Sequence, residues 1–505
     1  MKLAAATLMV AALVAGTAVG CAGSSSDAAF ITQADMVLAP CSFATAGALW
    51  GNLRQGRLGA GEALCGSYEV WEDRAAMSGR KLALNVIVLK ATGEDPAPDP
   101  LFLFAGGPGE AVSQWSWVPV EFARIREHRD IVLVDQRGTG LSHSLACDPL
   151  GGDDDVQAFL NPMLDAAYVI DCRMKLEERA DLRHYTTANH ADDIDDIRAA
   201  LGYERINLWG ASYGTRPVLV YLRRHAAHVR AAAIHGVAHT AWKYPLHHAS
   251  SGQRALEMLF AACRGDTRCG EAFGNPADDL DRVMELFADG PVMTEVPRPG
   301  GRGVVPVEVY KEVIAERFRS LMYSSRNAVR IPAILQRAAE SGSLSELARL
   351  ELDYQRGFQE GVNWFTGMWL SVTCTEDIPF ITDADVETET AGTIFGDYRV
   401  RTHREACMLW PQGVLPEGFS DPVRSAAPVL ITSGDLDPVT PPAAAATAAE
   451  HLPNSRHIIV RQGHGQTDMG CYLQVLSDFF EHGTTVAVDV SCLEAVDLPA
   501  WDLGR

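Results

Sequence analysis

Basic residues are scarce. Lysine and arginine total 43 against 65 aspartates and glutamates, a formal net charge of −22. Proteins that grip nucleic acid cluster Lys and Arg to neutralise phosphates. This balance therefore argues against a nucleic-acid partner and for an acidic, solvated surface. No Cys-x-x-Cys pair occurs. That disfavours a thiolate zinc site and a thioredoxin-like redox centre. The apolar run Leu3–Ala15 falls short of the roughly 20 residues a spanning helix needs. No internal repeat is visible, and the only long linker-like stretch is the Ser-rich segment 22–30.

The chain has 505 residues, 47% of them hydrophobic and 21% charged. That composition supports a sizeable core and excludes global disorder. The length fits two or three domains, or one large α/β domain with an insertion. Lys2, the apolar run and the small residues up to Cys21 read as an export signal. Ala18-Val19-Gly20-Cys21 resembles a bacterial lipobox, with Ala18 where leucine is usual; it would also suit an ordinary signal peptidase. Any contact with a membrane would run through a lipid on Cys21. The eleven cysteines leave ten if Cys21 is lipidated, enough for five disulfides in an oxidising compartment. Pairing between chain neighbours is the expectation: 41–65, 147–172, 263–269, 374–407 and 471–492.

Lys81–Thr92 reads as a strand, and apolar runs within Asp99–Gly109, Asp130–Gly140, Arg205–Gly210 and Arg230–Val237 alternate with helical periodicity, as in Ala191–Tyr203. Such runs mark a mostly parallel sheet covered on both faces. From Ala238 to Asp421 helical patterns dominate and strand-like runs are scarce. Strand–helix alternation then resumes at Pro428–Ser433 and Arg456–Arg461. The expected division is an export signal (1–21), a linker (22–40), a first core part (41–237), a helical cap (238–421) and a second core part with a C-terminal tail (422–505).

Gly210-Ala211-Ser212-Tyr213-Gly214 follows a strand and precedes a helix. A sharp strand-to-helix turn needs glycine beside the serine and lifts its hydroxyl above the sheet. A serine hydroxyl becomes a useful nucleophile only when a base takes its proton. Ser212 is thus a candidate nucleophile if an acid and a histidine follow later, each after a strand. Asp437, or else Asp435, and His464 stand in those places. Asp437 is preferred because Pro438 and the next helix would hold it at a loop tip. The oxyanion of acyl transfer needs backbone N–H donors. Tyr213, after the nucleophile, and Gly107, in the loop Phe104-Ala-Gly-Gly-Pro-Gly, are the candidates. Asp135-Gln136-Arg137-Gly138 reads as a structural tie for the loop beside the site. This chemistry requires neither metal nor cofactor.

The ordered set AGGPG (105–109), DQRGTGLS (135–142), GASYGTRP (210–217), GDLDPVTPP (434–442) and GHG (463–465) resembles the α/β-hydrolase serine exopeptidases of the proline iminopeptidase and tripeptidyl aminopeptidase type. The likeness covers roughly residues 60–240 and 425–480. It implies an α/β-hydrolase fold with a large helical cap insertion. It also implies hydrolysis of peptides from a free N-terminus, with Ser212, Asp437 and His464 as triad. Ala105 departs from the histidine many relatives carry, without touching the backbone donors. Acidic cap residues in similar enzymes hold the substrate ammonium, which points to Glu376 and Asp377. Trp364, Phe365 and Trp369 are cap-core or pocket residues. The same machinery serves carboxylesterases and lipases. An epoxide hydrolase or dehalogenase would need aspartate at position 212, and a non-catalytic exported binding protein would lack a triad member.

Overall fold

The computed structural model describes residues 31–33, 36–41, 63–152, 155–361 and 364–504. The export signal and Cys21 lie outside them. The strands are β1 (Ile31–Gln33), β2 (Met36–Cys41), β3 (Ala63–Trp71), β4 (Lys81–Leu89), β5 (Leu101–Phe104), β6 (Ile131–Val134), β7 (Ile206–Ala211), β8 (Val229–His235), β9 (Val292–Pro297), β10 (Val304–Val309), β11 (Val429–Gly434) and β12 (Ser455–Val460). Ten form one sheet in the order β1-β2-β3-β4-β6-β5-β7-β8-β11-β12. β1 to β4 run antiparallel, as does the β4–β6 pair; β6 to β12 in that order run parallel.

Composition explains the two halves. β5 (LFLF) and β6 (IVLV) are buried at every residue, as parallel strands under helices on both faces must be. β2 instead alternates, with Met36 and Leu38 inward and Val37 exposed. Residues 31–40, expected as part of a linker, therefore include β1 and nearly all of β2. The alternation in Met36–Cys41 is too short to distinguish from a linker until β3 supplies a partner.

Helices fill most of the chain between β8 and β11, with the hairpin β9–β10 as an unforeseen exception. Most of them pack around their own cluster, which includes Leu256, Leu259, Phe260, Phe318 and Leu335. Helix Thr366–Glu376 is different. It is buried along its whole length, and Met368, Leu370 and Val372 join the core of the sheet. It seats Trp364 and Trp369 directly over the glycine loop after β5: a side-chain carbon on Gly107 would lie 3.2 Å from Trp364, and one on Gly109 3.3 Å from Trp369. Disulfides join Cys41–Cys65, Cys147–Cys172, Cys263–Cys269, Cys374–Cys407 and Cys471–Cys492, the neighbour pairing expected. No helix among the described residues is long and apolar enough to cross a membrane.

Candidate active site

Strand β7 ends at Ala211, and Ser212 turns the chain with φ of 57°, in the left-handed region that a non-glycine residue rarely enters. Such a conformation costs about 1–3 kcal/mol and persists only where its surroundings enforce it. Helix Thr215–Arg224 begins three residues later. The flanking glycines make the turn sterically feasible. A Cβ on Gly210 would sit 2.3 Å from the Gly214 carbonyl oxygen, and one on Gly214 would sit 2.3 Å from the Phe104 oxygen. Both obstacles are backbone. Gly214→Ala is therefore expected to destabilise the fold by about 3 kcal/mol, read as a lowered denaturant midpoint.

The β5–β7 pairing sets Phe104 opposite Gly210, so the loop after β5 runs beside Ser212. A Cβ on Gly106 would be 3.6 Å from Ser212 Cβ. This is the carboxyl edge of a parallel sheet, where open α/β folds bind ligands. Tyr213 is buried, and its ring is held by an ordered hydrogen-bond chain. Gln136 Nε2 donates to the Tyr213 hydroxyl (3.0 Å). That hydroxyl donates to Thr187 Oγ1 (2.7 Å), which donates to Glu376 (2.7 Å). Asp135 and Arg137 tie the neighbouring loop: Asp135 accepts from the Ser113 N–H and Asn85, and Arg137 forms two 2.7 Å bonds to Asp193.

His464 follows β12, and its Nδ1 lies 2.8 Å from Asp437 Oδ2. Asp437 also accepts from the Val439 and Thr440 N–H groups and from the Thr440 hydroxyl. Burial works against its ionisation, but the His464 ring and these donors outweigh burial and hold its pKa down at about 2. Asp435 faces elsewhere, bonded to Arg461 and the Gln462 N–H. Beneath the site, His235 donates from Nε2 to the His464 carbonyl oxygen (2.7 Å); burial lowers its pKa to about 4 and keeps it neutral.

The cap grips both loops. Arg254 donates to the carbonyl oxygens of Asp435 (2.7 Å) and Asp437 (2.9 Å). Gly465 N–H donates to the Tyr323 oxygen, and the Tyr323 ring meets His464 edge-on with centroids 4.8 Å apart. Ser212, His464, Gly106, Gly107 and Tyr213 all line one cavity of about 1030 Å³ under the cap, walled by Trp242, Tyr244, Tyr323, Trp364 and Trp369.

Glu376 and Asp377, expected to hold an ammonium, are both engaged by Arg216. Its guanidinium reaches Asp377 at 2.8 and 3.1 Å and Glu376 at 3.4 Å. Asp377 touches the cavity; Glu376 is not among its lining residues. Burial raises Glu376 to a pKa of about 7, since Arg216 is shared with Asp377 and offsets only part of the cost. The folded-state pKa lies above the unfolded one. Its stabilisation is therefore present below pH ~4.3 and is lost as pH rises through about 7. Glu376→Gln is accordingly expected to compare better with wild type at pH 8.5 than at pH 5. The difference is at most about 3 kcal/mol, measured by urea unfolding at both pH values.

Arg216 and Thr440 were visible in the motifs GASYGTRP and GDLDPVTPP but carried no assigned role. Thr187, His235 and Arg254 have no local signal, because only folding brings them to the loops they support.

Two segments match protein families: residues 99–258 the α/β hydrolase fold, and residues 392–492 the TAP-like proteins. The chain is 25% identical over 472 residues to serine protease Hip1 of Mycobacterium tuberculosis, covering 86% of this chain and 88% of that protein. It is 26% identical over 473 residues to the tripeptidyl aminopeptidase of Streptomyces lividans, covering 85% and 83%. The solved proline iminopeptidase of Mycobacterium smegmatis aligns with 14% identity and a TM-score of 0.34, covering 83% of this chain and 98% of that one.

Proposed function

This chain is a serine peptidase of the α/β-hydrolase fold, and from that premise we propose that it is an exported aminopeptidase. It would release one to three residues from the free N-terminus of peptides through an acyl-enzyme on Ser212. The observation that carries this reading is His464, bonded to the buried Asp437, lining the same capped cavity as the strained Ser212.

In the proposed reaction His464 Nε2 takes the Ser212 proton as Oγ adds to the scissile carbonyl. Asp437 holds the Nδ1 proton and stabilises the imidazolium. The N–H groups of Gly107 and Tyr213 receive the oxyanion. The C–N bond then breaks, and His464 returns the proton to the departing amine. Water, activated by the same ring, releases the acyl group. Cap residues such as Tyr323 and Trp369 line the cavity with Ser212, and in this reading they confine it to chain ends rather than internal peptide bonds. Five disulfides support an oxidising compartment. The N-terminal segment favours export, with Cys21 as the lipid attachment point if it is processed as a lipoprotein. The acidic net charge argues against nucleic acid as a partner.

The test is a pair of assays. A fluorophosphonate probe is expected to label wild type and not Ser212→Ala. Peptide amides with free N-termini are expected to be cleaved and their acetylated counterparts spared. Equal cleavage of both would overturn the exopeptidase reading.

A further inference from the structure

Most carboxylates that line the cavity already have a cation or a structural duty. Asp377 is bound by Arg216. Glu316 is bound by Arg319 and Arg399. Glu351 faces Arg317 at 3.6 Å and accepts from Gln355. At the outer part, Asp148 pairs with Lys175, and Asp165 caps helix Ala166–Glu177.

Glu110 differs. It follows the Gly-Gly-Pro-Gly loop, and its carboxylate accepts from Trp115 Nε1 (2.8 Å) and from the Gly106 N–H. Both donors are uncharged. Among the described residues it has no ion-pair partner, and partial burial pushes its pKa up. It is half-buried and lines the cavity. A carboxylate placed this way lacks the cation that would offset its desolvation. A positively charged group on the substrate would supply it, in the cavity that Trp364 and Trp369 also line.

Its position limits where that charge sits. The point occupied by a Cβ on Gly106 is 3.3 Å from Glu110 Oε2 and 3.6 Å from Ser212 Cβ. Carboxylate and candidate nucleophile thus flank one glycine. In an aminoacyl group on Ser212 the amine stands two bonds from the carbonyl carbon, of about 1.46 and 1.52 Å. Each further residue carries an extended N-terminus roughly 3.8 Å away. The span suits one residue and not three.

We propose that Glu110 binds the α-ammonium of the peptide's first residue, so that this enzyme releases single amino acids. The inference rests on Ser212 being the nucleophile of an aminopeptidase. The rest of the cavity then receives the peptide on the leaving side. Glu376 and Asp377 are engaged by Arg216, leaving ammonium recognition to the oxyanion-side loop.

A primary ammonium can come from a chain terminus or from a lysine side chain, and the experiment separates them. Three peptide amides are compared: one with a free N-terminal alanine, its N-acetyl form, and an N-acetyl form beginning with lysine. Wild type, Glu110→Gln and Glu110→Asp are assayed, with products read by mass spectrometry. Wild type is expected to release single residues from the free peptide. Glu110→Gln is expected to lower kcat/KM for that peptide by on the order of 100-fold and to collapse its advantage over the acetylated form. Glu110→Asp, which keeps the charge, is expected to restore part of that advantage. The ratio of two substrates on one preparation does not depend on how much protein is folded. An equal loss on free and acetylated peptides would make Glu110 a structural tie for the loop and overturn the proposal. So would Glu110-dependence confined to the acetyl-lysyl peptide, or release of tripeptides. Absence of Ser212-dependent hydrolysis by wild type would remove the parent reading, and this inference with it.

Discussion

Ser212→Ala is expected to lower kcat/KM for peptide cleavage by on the order of 10⁵-fold while leaving the fold intact. Alanine removes the oxygen that would form the acyl-enzyme. It also tolerates the positive-φ turn no worse than serine, since both are L-residues with one carbon at Cβ. What survives comes from oxyanion donors and binding, which act without a nucleophile. Ser212→Ala and His464→Ala should therefore not add: the double variant is expected to be about as slow as either single one. Steady-state rates on a free-amine peptide amide, with far- and near-UV circular dichroism as the fold control, check both points. A double variant slower than the singles by the product of their effects would show that the two side chains do not act as one unit.

The second large effect is expected at Asp437. Asn in its place keeps the size and the hydrogen bonds from the Val439 and Thr440 N–H groups, but it can present an N–H to His464. The ring would then carry its proton on the wrong nitrogen, and the loss in kcat is expected to be about 10⁴-fold. Stability gives an independent readout with a definite sign. Asp437 has a folded pKa depressed to about 2. Its stabilisation is present above the unfolded value near ~3.9 and is lost as pH falls through about 2. Asp437→Asn should therefore cost stability at pH 7 and progressively less towards pH 2. Thermal unfolding across that range measures it.

Much of this site could be read along the chain. Ser212, Asp437 and His464 each follow a strand, fully buried before Asp437 and only half apolar before His464, and in a parallel sheet strand ends share one edge. Motif order therefore carried three-dimensional information. Asp437 over Asp435 followed from loop position, and the hydrogen bonds now distinguish them: one carboxylate meets His464, the other Arg461. The disulfide partners were also chain neighbours.

The acidic pair at 376–377 shows where reading failed to reach. Next to Cys374 in a helical insertion, it looked like two free carboxylates. Nothing local to it reveals Arg216, 160 residues away, whose guanidinium occupies both. β1 and β2 were hidden for a related reason. A six-residue alternation has little weight until an antiparallel neighbour meets it, and that pairing is non-local.

From the sequence alone come the fold class, the expectation of serine chemistry and the candidate residues for it. Those follow from local patterns: apolar runs that must be buried, glycines that a tight turn demands, and loops at strand ends. Tertiary structure decided which charges are already neutralised. Arg216 engages Glu376 and Asp377, Arg319 and Arg399 engage Glu316, and Glu110 lines the cavity beside Ser212 with only neutral donors. Whether a buried carboxylate is free to meet a ligand depends on what folding brings within a few ångströms of it, and that distance is not written in the order of residues.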